Sequence, residues 1–483
     1  MNNRLIIRVV GYILLVEAGC LLPPLLVALV CGEIAWRSFA LVAAACGLLG
    51  FLLSRAGKNR SALMQSRDGY VIVAAAWLAL SLFGALPYVV SGAIPHYIDA
   101  LFETVSGLTT TGASILTEIE HLPRSVLFWR AETQWIGGMG VLVMFLALMP
   151  RLGGDGAVHL MRAESPGPIK SKLTPKVGQT AKILYTIYLG LTAAETLALR
   201  IAGMSWFDAV THAFTTLATG GFSVRNASIA AYHSAAVVWI VTVFTFLAGV
   251  NFALLYAAVL GRWRQVLRSH ELRLYTALLL CAVALVAVDL HAQAGQSASQ
   301  AATDAAFQVV TVMTTTGYST CDFAQWPAFS RMVLAALMFI GGSAGSTAGG
   351  IKVSRLLIHL RSLRRELGRI VHPRHLSVIT MDGEVVDESV VSGCHSFLAA
   401  YLLVLAAGAL IVGLDDLGFQ ESFTASLTCI SNVGPALGKL GPAANFSILS
   451  YLSKAALSLE MLMGRLELLP LLVLLNPATW RDR

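Results

Sequence analysis

Long apolar stretches separated by short polar loops follow one another along the chain. Runs near 7–30, 38–54, 70–92, 126–149, 183–202, 234–260, 272–290, 329–356, 392–413 and 446–475 carry few charges. Each is close to or beyond the roughly 20 residues that cross a bilayer as a helix, so the pattern predicts about ten membrane-spanning helices. Four further apolar segments are too short to cross, and each leads into a Thr/Gly-rich strip.

The strips are copies of one phrase. Leu108-Thr109-Thr110-Thr111-Gly112-Ala113-Ser114 recurs as Leu217-Ala218-Thr219-Gly220-Gly221-Phe222-Ser223 and as Met313-Thr314-Thr315-Thr316-Gly317-Tyr318-Ser319. A worn fourth copy reads Ile430-Ser431-Asn432-Val433-Gly434-Pro435-Ala436. Thirteen residues before the register glycine stands an acid each time: Asp99, Asp208, Asp304 and Glu421. That spacing predicts a re-entrant half-helix whose acid caps or neutralises its positive N-terminal end and whose carbonyl end points into the membrane. Glycine after it permits the positive φ that turns carbonyl oxygens toward an axis. Four such strips around one axis would ring a dehydrated cation with carbonyls; the competing reading is four tight turns between ordinary helices.

On these residues the chain resembles the four pore loops of the Trk/Ktr/HKT superfamily of cation transporters, and within it the bacterial TrkH/TrkG type of potassium uptake subunit. The resemblance implies an all-α polytopic membrane protein with four pseudo-symmetric span, pore-loop, span repeats around one pore. The N-terminal pair of spans would occupy 1–67 and the repeats 68–162, 163–270, 271–376 and 377–483. It also implies a potassium-binding filter built from Thr110, Thr111 and Gly112; Thr219, Gly220 and Gly221; Thr315, Thr316 and Gly317; and Asn432, Val433 and Gly434. In the superfamily a serine at the first-repeat glycine goes with sodium transport, so Gly112 points to potassium. The fourth strip departs most from the pattern, which puts fourfold equivalence of the ion sites in doubt.

Composition agrees with a membrane protein: of 483 residues 56% are hydrophobic and 13% charged, with mean hydropathy +0.72. The net charge of +7 would suit nucleic acid, but the basic residues sit in short loops and leave no compact basic domain. Arg4 and Arg8, four basic residues in 55–67, six in 151–182, four in 262–273, seven in 352–374, and Arg481 with Arg483 fall on one side. The other side has mainly Arg37, Arg124, Arg225 and Lys439. The positive-inside rule then puts both termini on the cytoplasmic side and the strips' entrance outside, and the resemblance implies that the membrane is a bacterial inner membrane. The first run is longer than a signal peptide's core and is expected to be retained. Seven scattered cysteines without a CxxC indicate neither disulfide framework nor zinc site.

Two features lie on the inner side of the strips. Gly341 to Gly350 is ten small residues, five of them glycine, a composition that weakens a helix by about 5 kcal/mol. An unwound loop there must line a cavity or be buried in protein; alternatively Gly341, Gly345 and Gly349 form a close-packing helix face. The resemblance implies a gate at Gly341, Gly342, Ser343, Gly345, Ser346, Thr347, Gly349, Gly350 and Lys352, with Arg465 as a pore-facing positive charge. Arg465 has a competing reading as the partner of Glu460 or Glu467, and Lys454 is a weaker pore candidate that would snorkel to an interface. In the longest loop, Asp382-Gly383 between two β-prone runs predicts a type I′ hairpin hanging into the cytoplasm.

Expected function is therefore potassium uptake, with coupling to sodium or protons as the alternative and Glu132 or Glu195 as conceivable proton carriers. No HExxH, CxxC or phosphate loop supports an enzyme. The resemblance further implies a homodimer and a cytosolic nucleotide-binding regulatory subunit of the TrkA type, with no organic cofactor on this chain.

Overall fold

The computed structural model describes residues 3–57, 66–140, 177–372 and 378–477. The boundary between the first two expected repeats, the end of the run at 126–149, most of the basic loop at 151–182, and Arg481 with Arg483 lie outside them.

Among the described residues the protein is almost wholly helical, with one two-stranded hairpin. An N-terminal layer is formed by α1 (Asn3–Cys20), α2 (Leu22–Cys31) and α3 (Trp36–Ala56). Gly11 and Gly50 let α1 and α3 touch backbone to backbone: a Cβ on either would run into the other helix's main chain. Leu41, Leu48 and Leu52 on α3 and Leu280, Val288, Leu403 and Leu410 elsewhere stay exposed, as lipid-facing positions should.

After α4 (Ser66–Gly84) and α5 (Leu86–Val90), the chain four times runs through a short helix, a strip and a second helix. The short helices are α6 (Tyr97–Leu108), α9 (Trp206–Leu217), α14 (Ala298–Met313) and α18 (Phe419–Ser431). Twelve residues rise about 18 Å, roughly half a span, as the sequence predicts. They are entered from α4–α5, α8 (Val177–Ile201), α13 (His270–Gln293) and α17 (Glu388–Gly413).

The helices that follow the strips differ from expectation. Among the described residues five spans are long and apolar enough to cross a membrane: Asn3–Cys31, Trp36–Ala56, Asp68–Val90, His270–Gln293 and Glu388–Gly413. The run expected at 234–260 is instead α10 (Ala235–Ala248) and α11 (Phe252–Val259), bent by 103° across Gly249-Val250-Asn251. A short α12 (Trp263–Arg268) then leads into α13. The run at 329–356 is α15 (Ala328–Ile340), a loop, and the basic amphipathic α16 (Val353–Val371). The run at 446–475 divides into α19 (Tyr451–Arg465) and α20 (Leu469–Leu475), where Glu467 and Leu468 adopt φ of 58° and 64°. The first-repeat counterpart, α7 (Arg124–Gly138), also stops, at Met139-Gly140. All four helices thus end inside the run that the sequence predicts as one span.

The predicted hairpin is present as β1 (Thr380–Met381) and β2 (Glu384–Val385), with φ of 49° at Asp382 and 91° at Gly383. It does not hang free. Asp382 Oδ1 accepts from the backbone N–H of His270 at 2.7 Å, and Arg361 of α16 donates to the Thr380 carbonyl. Ile379, Met381 and Val386 pack with Ile358, Val391 and Cys394.

Candidate functional site at the convergence of the strips

The short helices begin as the sequence demands, with one correction. Ser205 and Ser297 are the side-chain caps, accepting from the N–H groups of Asp208 and Gln300. Asp99, Asp208 and Glu421 stand at the third helical position and Asp304 at the seventh. The first three therefore neutralise the dipole from within the first turn, a contribution of about 0.3–1 kcal/mol. Two also take a cation: Asp99 pairs with Lys454 at 2.7 Å and Asp208 with Arg225 at 3.4 Å. Lys454 is buried in that pair rather than snorkelling.

Each strip turns back on its helix through one recurring bond. The N–H one residue before the register glycine donates to the carbonyl six residues before that glycine: Thr111 to Ser106, Gly220 to Thr215, Thr316 to Thr311 and Val433 to Thr428, at 2.8–2.9 Å. Two residues before the glycine the backbone is left-handed, with φ of 56°, 53°, 58° and 57° at Thr110, Thr219, Thr315 and Asn432. Gly112, Gly221, Gly317 and Gly434 are positive again, at 83°, 72°, 79° and 103°. The residue between them is not, so handedness alternates, the condition for consecutive carbonyls to face one side. A β-branched threonine held left-handed is strained, whereas Asn tolerates that region. The worn fourth copy keeps the backbone and has the most relaxed residue for it.

The four strips close a ring. A Cβ on Gly112 would strike the carbonyl oxygen of Gly220; on Gly221, that of Thr316; on Gly317, that of Val433; on Gly434, that of Thr111. Every register glycine backs onto the residue before the next one, and the fourth returns to the first. All four line one cavity of about 140 Å³, whose wider walls include Arg130, Ser223, Arg225 and Asn445. The tight-turn reading has no place for such a ring.

Beneath it lies the small-residue segment, unwound as one of the two readings requires. Gly341, Gly345 and Gly350 have φ of 73°, 70° and 75°, and Lys352 81°, so Gly341, Gly345 and Gly349 do not form a helix face. The loop is stitched to its surroundings on several sides. Ser343 N–H donates to Gly249 O at 3.0 Å, Thr347 Oγ1 to Ala248 O at 3.2 Å, and Phe252 N–H to Gly345 O at 3.0 Å. Ala344 N–H reaches Glu271 Oε1 at 2.6 Å. Gly349 N–H donates to Thr315 Oγ1 at 2.7 Å and Gly350 N–H to Ser431 O at 2.9 Å, directly under the third and fourth strips. Ser346 Oγ and the Lys352 ammonium bond back to the loop carbonyls of Ser343 and Ala348, and Val353 N–H to Gly342 O. Arg465 completes the circle: it donates to Thr110 Oγ1 at 3.3 Å, to Thr347 O at 2.8 Å, and to the carbonyls of Gly137 and Gly138. Glu467 pairs instead with Arg355 at 2.6 Å, and Glu460 accepts from Ser426.

Residues 37–480 match the family model described as TrkH, cation transport protein. The chain belongs to the TrkH family of cation transport proteins. It is 38% identical over 493 residues to the Trk system potassium uptake protein TrkH of Escherichia coli K12, each chain covered in full. It is 36% identical to TrkH of Halomonas elongata over 494 residues, again in full, and 32% identical to TrkG of Escherichia coli K12 over 99% of both. Its fold is similar to the crystal structure of the potassium transporter TrkH from Vibrio parahaemolyticus, with a TM-score of 0.88, 35% identity and full coverage of both chains. Membership of this family makes the chain a membrane transport protein, not an enzyme.

One motif in this TrkH-family chain is misleading in sequence. Gly341-Gly342-Ser343-Ala344-Gly345 spells the Gly-x-Ser-x-Gly of a nucleophile elbow, which needs a strand-to-helix turn. Here a helix precedes it and Ser343 is buried in the loop. Conversely, the run at 126–149 gives no sign that α7 within it braces the first two strips. Arg130, 3% exposed, pairs with Glu103 at 2.6 Å, donates to Ser223 O at 2.7 Å and stacks over Phe222. Tyr318, next to the third register glycine, reaches the second short helix, bonding the Thr215 hydroxyl and donating to His212 O. Only a polar residue inside an apolar helix, such as Arg130, could have flagged this.

Proposed function

We propose that this chain takes up potassium across the bacterial inner membrane through the axis on which Gly112, Gly221, Gly317 and Gly434 converge. The closed ring of glycine-to-carbonyl contacts carries this reading, because carbonyl oxygens around an axis replace the hydration shell of a monovalent cation. Relatives named for potassium uptake support potassium as the ion. Thr110 to Gly112, Thr219 to Gly221, Thr315 to Gly317 and Asn432 to Gly434 are the filter; potassium there is the cargo. The four repeats and the N-terminal pair of spans divide the chain as the sequence suggests, with both termini cytoplasmic.

In this reading the loop from Gly341 to Lys352 is the gate, and the Arg465 guanidinium opposes cation passage below the filter. Individual hydrogen bonds of about 0.5–1.5 kcal/mol hold the loop, so a partner that binds the open form better by a few kcal/mol would release it. That partner is a cytosolic nucleotide-binding subunit of the TrkA type, acting on a homodimer. The basic α16 and the Asp382-Gly383 hairpin are its candidate docking surface; undiminished capture of the subunit by a hairpin-deleted chain would refute this.

The deciding experiment is flux of potassium against sodium in liposomes, with and without the regulatory subunit. Gly112→Ser is expected to weaken discrimination, since any side chain there meets the Gly220 carbonyl; unchanged relative flux counts against the filter. Coupling to sodium or protons along the same path is the second reading. It is favoured by Glu132 and Glu195, buried within the helices at 6% and 0% exposure. Potassium uptake that depends on either gradient at clamped voltage would establish it.

A further inference from the structure

The four strips are braced differently, and the difference isolates one side chain. In the first and third, the residue three before the register glycine and the residue one before it are both threonine, and their hydroxyls bond: Thr109 to Thr111 at 2.7 Å and Thr314 to Thr316 at 2.9 Å. In the fourth, Ser431 is held by Tyr401 at 2.6 Å, and Val433 supplies a β-branched side chain. The second strip has Ala218 and Gly220 at these positions, with no hydroxyl at either and no side chain at the second.

Gln134, projecting from α7, occupies the space. A Cβ on Gly220 would fall on its carboxamide carbon, oxygen and nitrogen. The amide is fully buried and grips the strip on both sides of Gly221: Nε2 donates to Gly220 O at 2.7 Å, and Oε1 accepts from Phe222 N–H at 3.1 Å. Two bonds from one planar amide fix the rotation of the peptide groups flanking the glycine, as a neighbouring strand would. α7 can come this close because Gly137 and Gly138 bring its backbone against Leu108 and Ala218.

We infer that Gln134 is a positioning residue for ion selection, standing in for the side chain that Gly220 lacks and holding the second strip's carbonyl in the ring. This rests on the filter reading above. Gln134 touches no ion in this account; it acts through the Gly220 and Phe222 backbone.

The test uses the full chain in liposomes and reads the potassium-to-sodium flux ratio, with unfolding temperature measured alongside. Gln134→Ala is expected to lower the ratio about tenfold, the scale set by losing two buried hydrogen bonds. Gln134→Glu keeps the shape and the bond from Phe222 but sets an acceptor against the Gly220 carbonyl, so it should lower the ratio too. Gly220→Ala, which displaces the intact amide, gives the same readout if the Gln134 variants do not fold. The decisive arm is the double variant Gln134→Ala with Gly220→Thr, which restores the β-branched pattern of the other strips and should recover discrimination; a simple loss of packing would not be reversed this way. A wild-type ratio in Gln134→Ala, or a double variant no better than the singles, overturns the inference. Gly112→Ser separates the two levels. If it lowers the ratio and Gln134→Ala does not, only this inference fails; if neither does, the filter reading fails with it.

Discussion

Arg130 and Glu103 meet at 2.6 Å beside the cavity that the four register glycines line, with Glu103 fully buried. Glu103 also accepts from the Ser114 hydroxyl and the Ile115 N–H, and Arg130 also donates to Ser223 O. The pair therefore ties the chain beyond the first strip to the chain beyond the second. Removing one partner leaves a buried charge alone, at a cost of about 3–5 kcal/mol. Arg130→Leu and Glu103→Leu are each expected to lower the unfolding temperature in detergent and the potassium-to-sodium ratio. The double variant should be more stable than either single, since it strands no charge; strict additivity would show that the pair is not coupled.

Arg465 joins Thr110, Thr347, Gly137 and Gly138 beneath the ring. Arg465→Gln removes the charge and most of these bonds, and is expected to raise rubidium leak in the absence of any regulatory subunit. Arg465→Lys keeps the charge but cannot span acceptors on three sides as the planar guanidinium does, so it should leak at an intermediate rate. Equal rates in all three would remove Arg465 from the gate.

Gly349 and Gly345 offer a contrast within one loop. A Cβ at Gly349 would strike the backbone oxygen of Ser431, which cannot give way as a side chain does. At Gly345 the neighbour is the Asn251 side chain, and the residue is exposed, leaving mainly the left-handed penalty of about 1–2 kcal/mol. Gly349→Ala is expected to detach the loop from the fourth strip and increase leak, while Gly345→Ala stays near wild-type flux. The reverse order would mean that the loop is held elsewhere.

His359 on α16 lies with its ring 5.0 Å from that of His395. Burial first, then His395 and Arg355, hold its pKa below the usual histidine value. The unfolded chain therefore binds more protons below its own pKa of about 6.5, so stability is unaffected above that pH and falls as pH drops through it. Unfolding temperature is expected to fall less steeply between about pH 7 and about pH 5.5 in His359→Gln than in the wild type. An identical slope in that variant would assign the decline to other groups.

The elements legible in the sequence are those whose cause is local. Apolar runs longer than a bilayer is thick, acids in the first turn of three short helices, Asp382-Gly383 at a hairpin, and five glycines in ten residues each act within a few positions of themselves. The breaks in the helices that follow the strips were partly hidden. At 341–352 the glycine content announces the break, whereas at Leu466-Glu467-Leu468 the only local signal is Pro470, which offers no backbone N–H, and the bond that holds Glu467 comes from Arg355, 112 residues away.

Repetition let the sequence by itself determine the most: a phrase written four times with a fixed acid spacing specifies four equivalent backbone turns, whatever packs around them. What it left undecided is how those turns are braced. Lys454 finds Asp99 across 355 residues, and Gln134 finds Gly220 across 86. A buried charge or amide must be satisfied by whatever donor or acceptor the fold brings near. That neighbour is chosen by the packing of distant helices, so only the tertiary structure could name it.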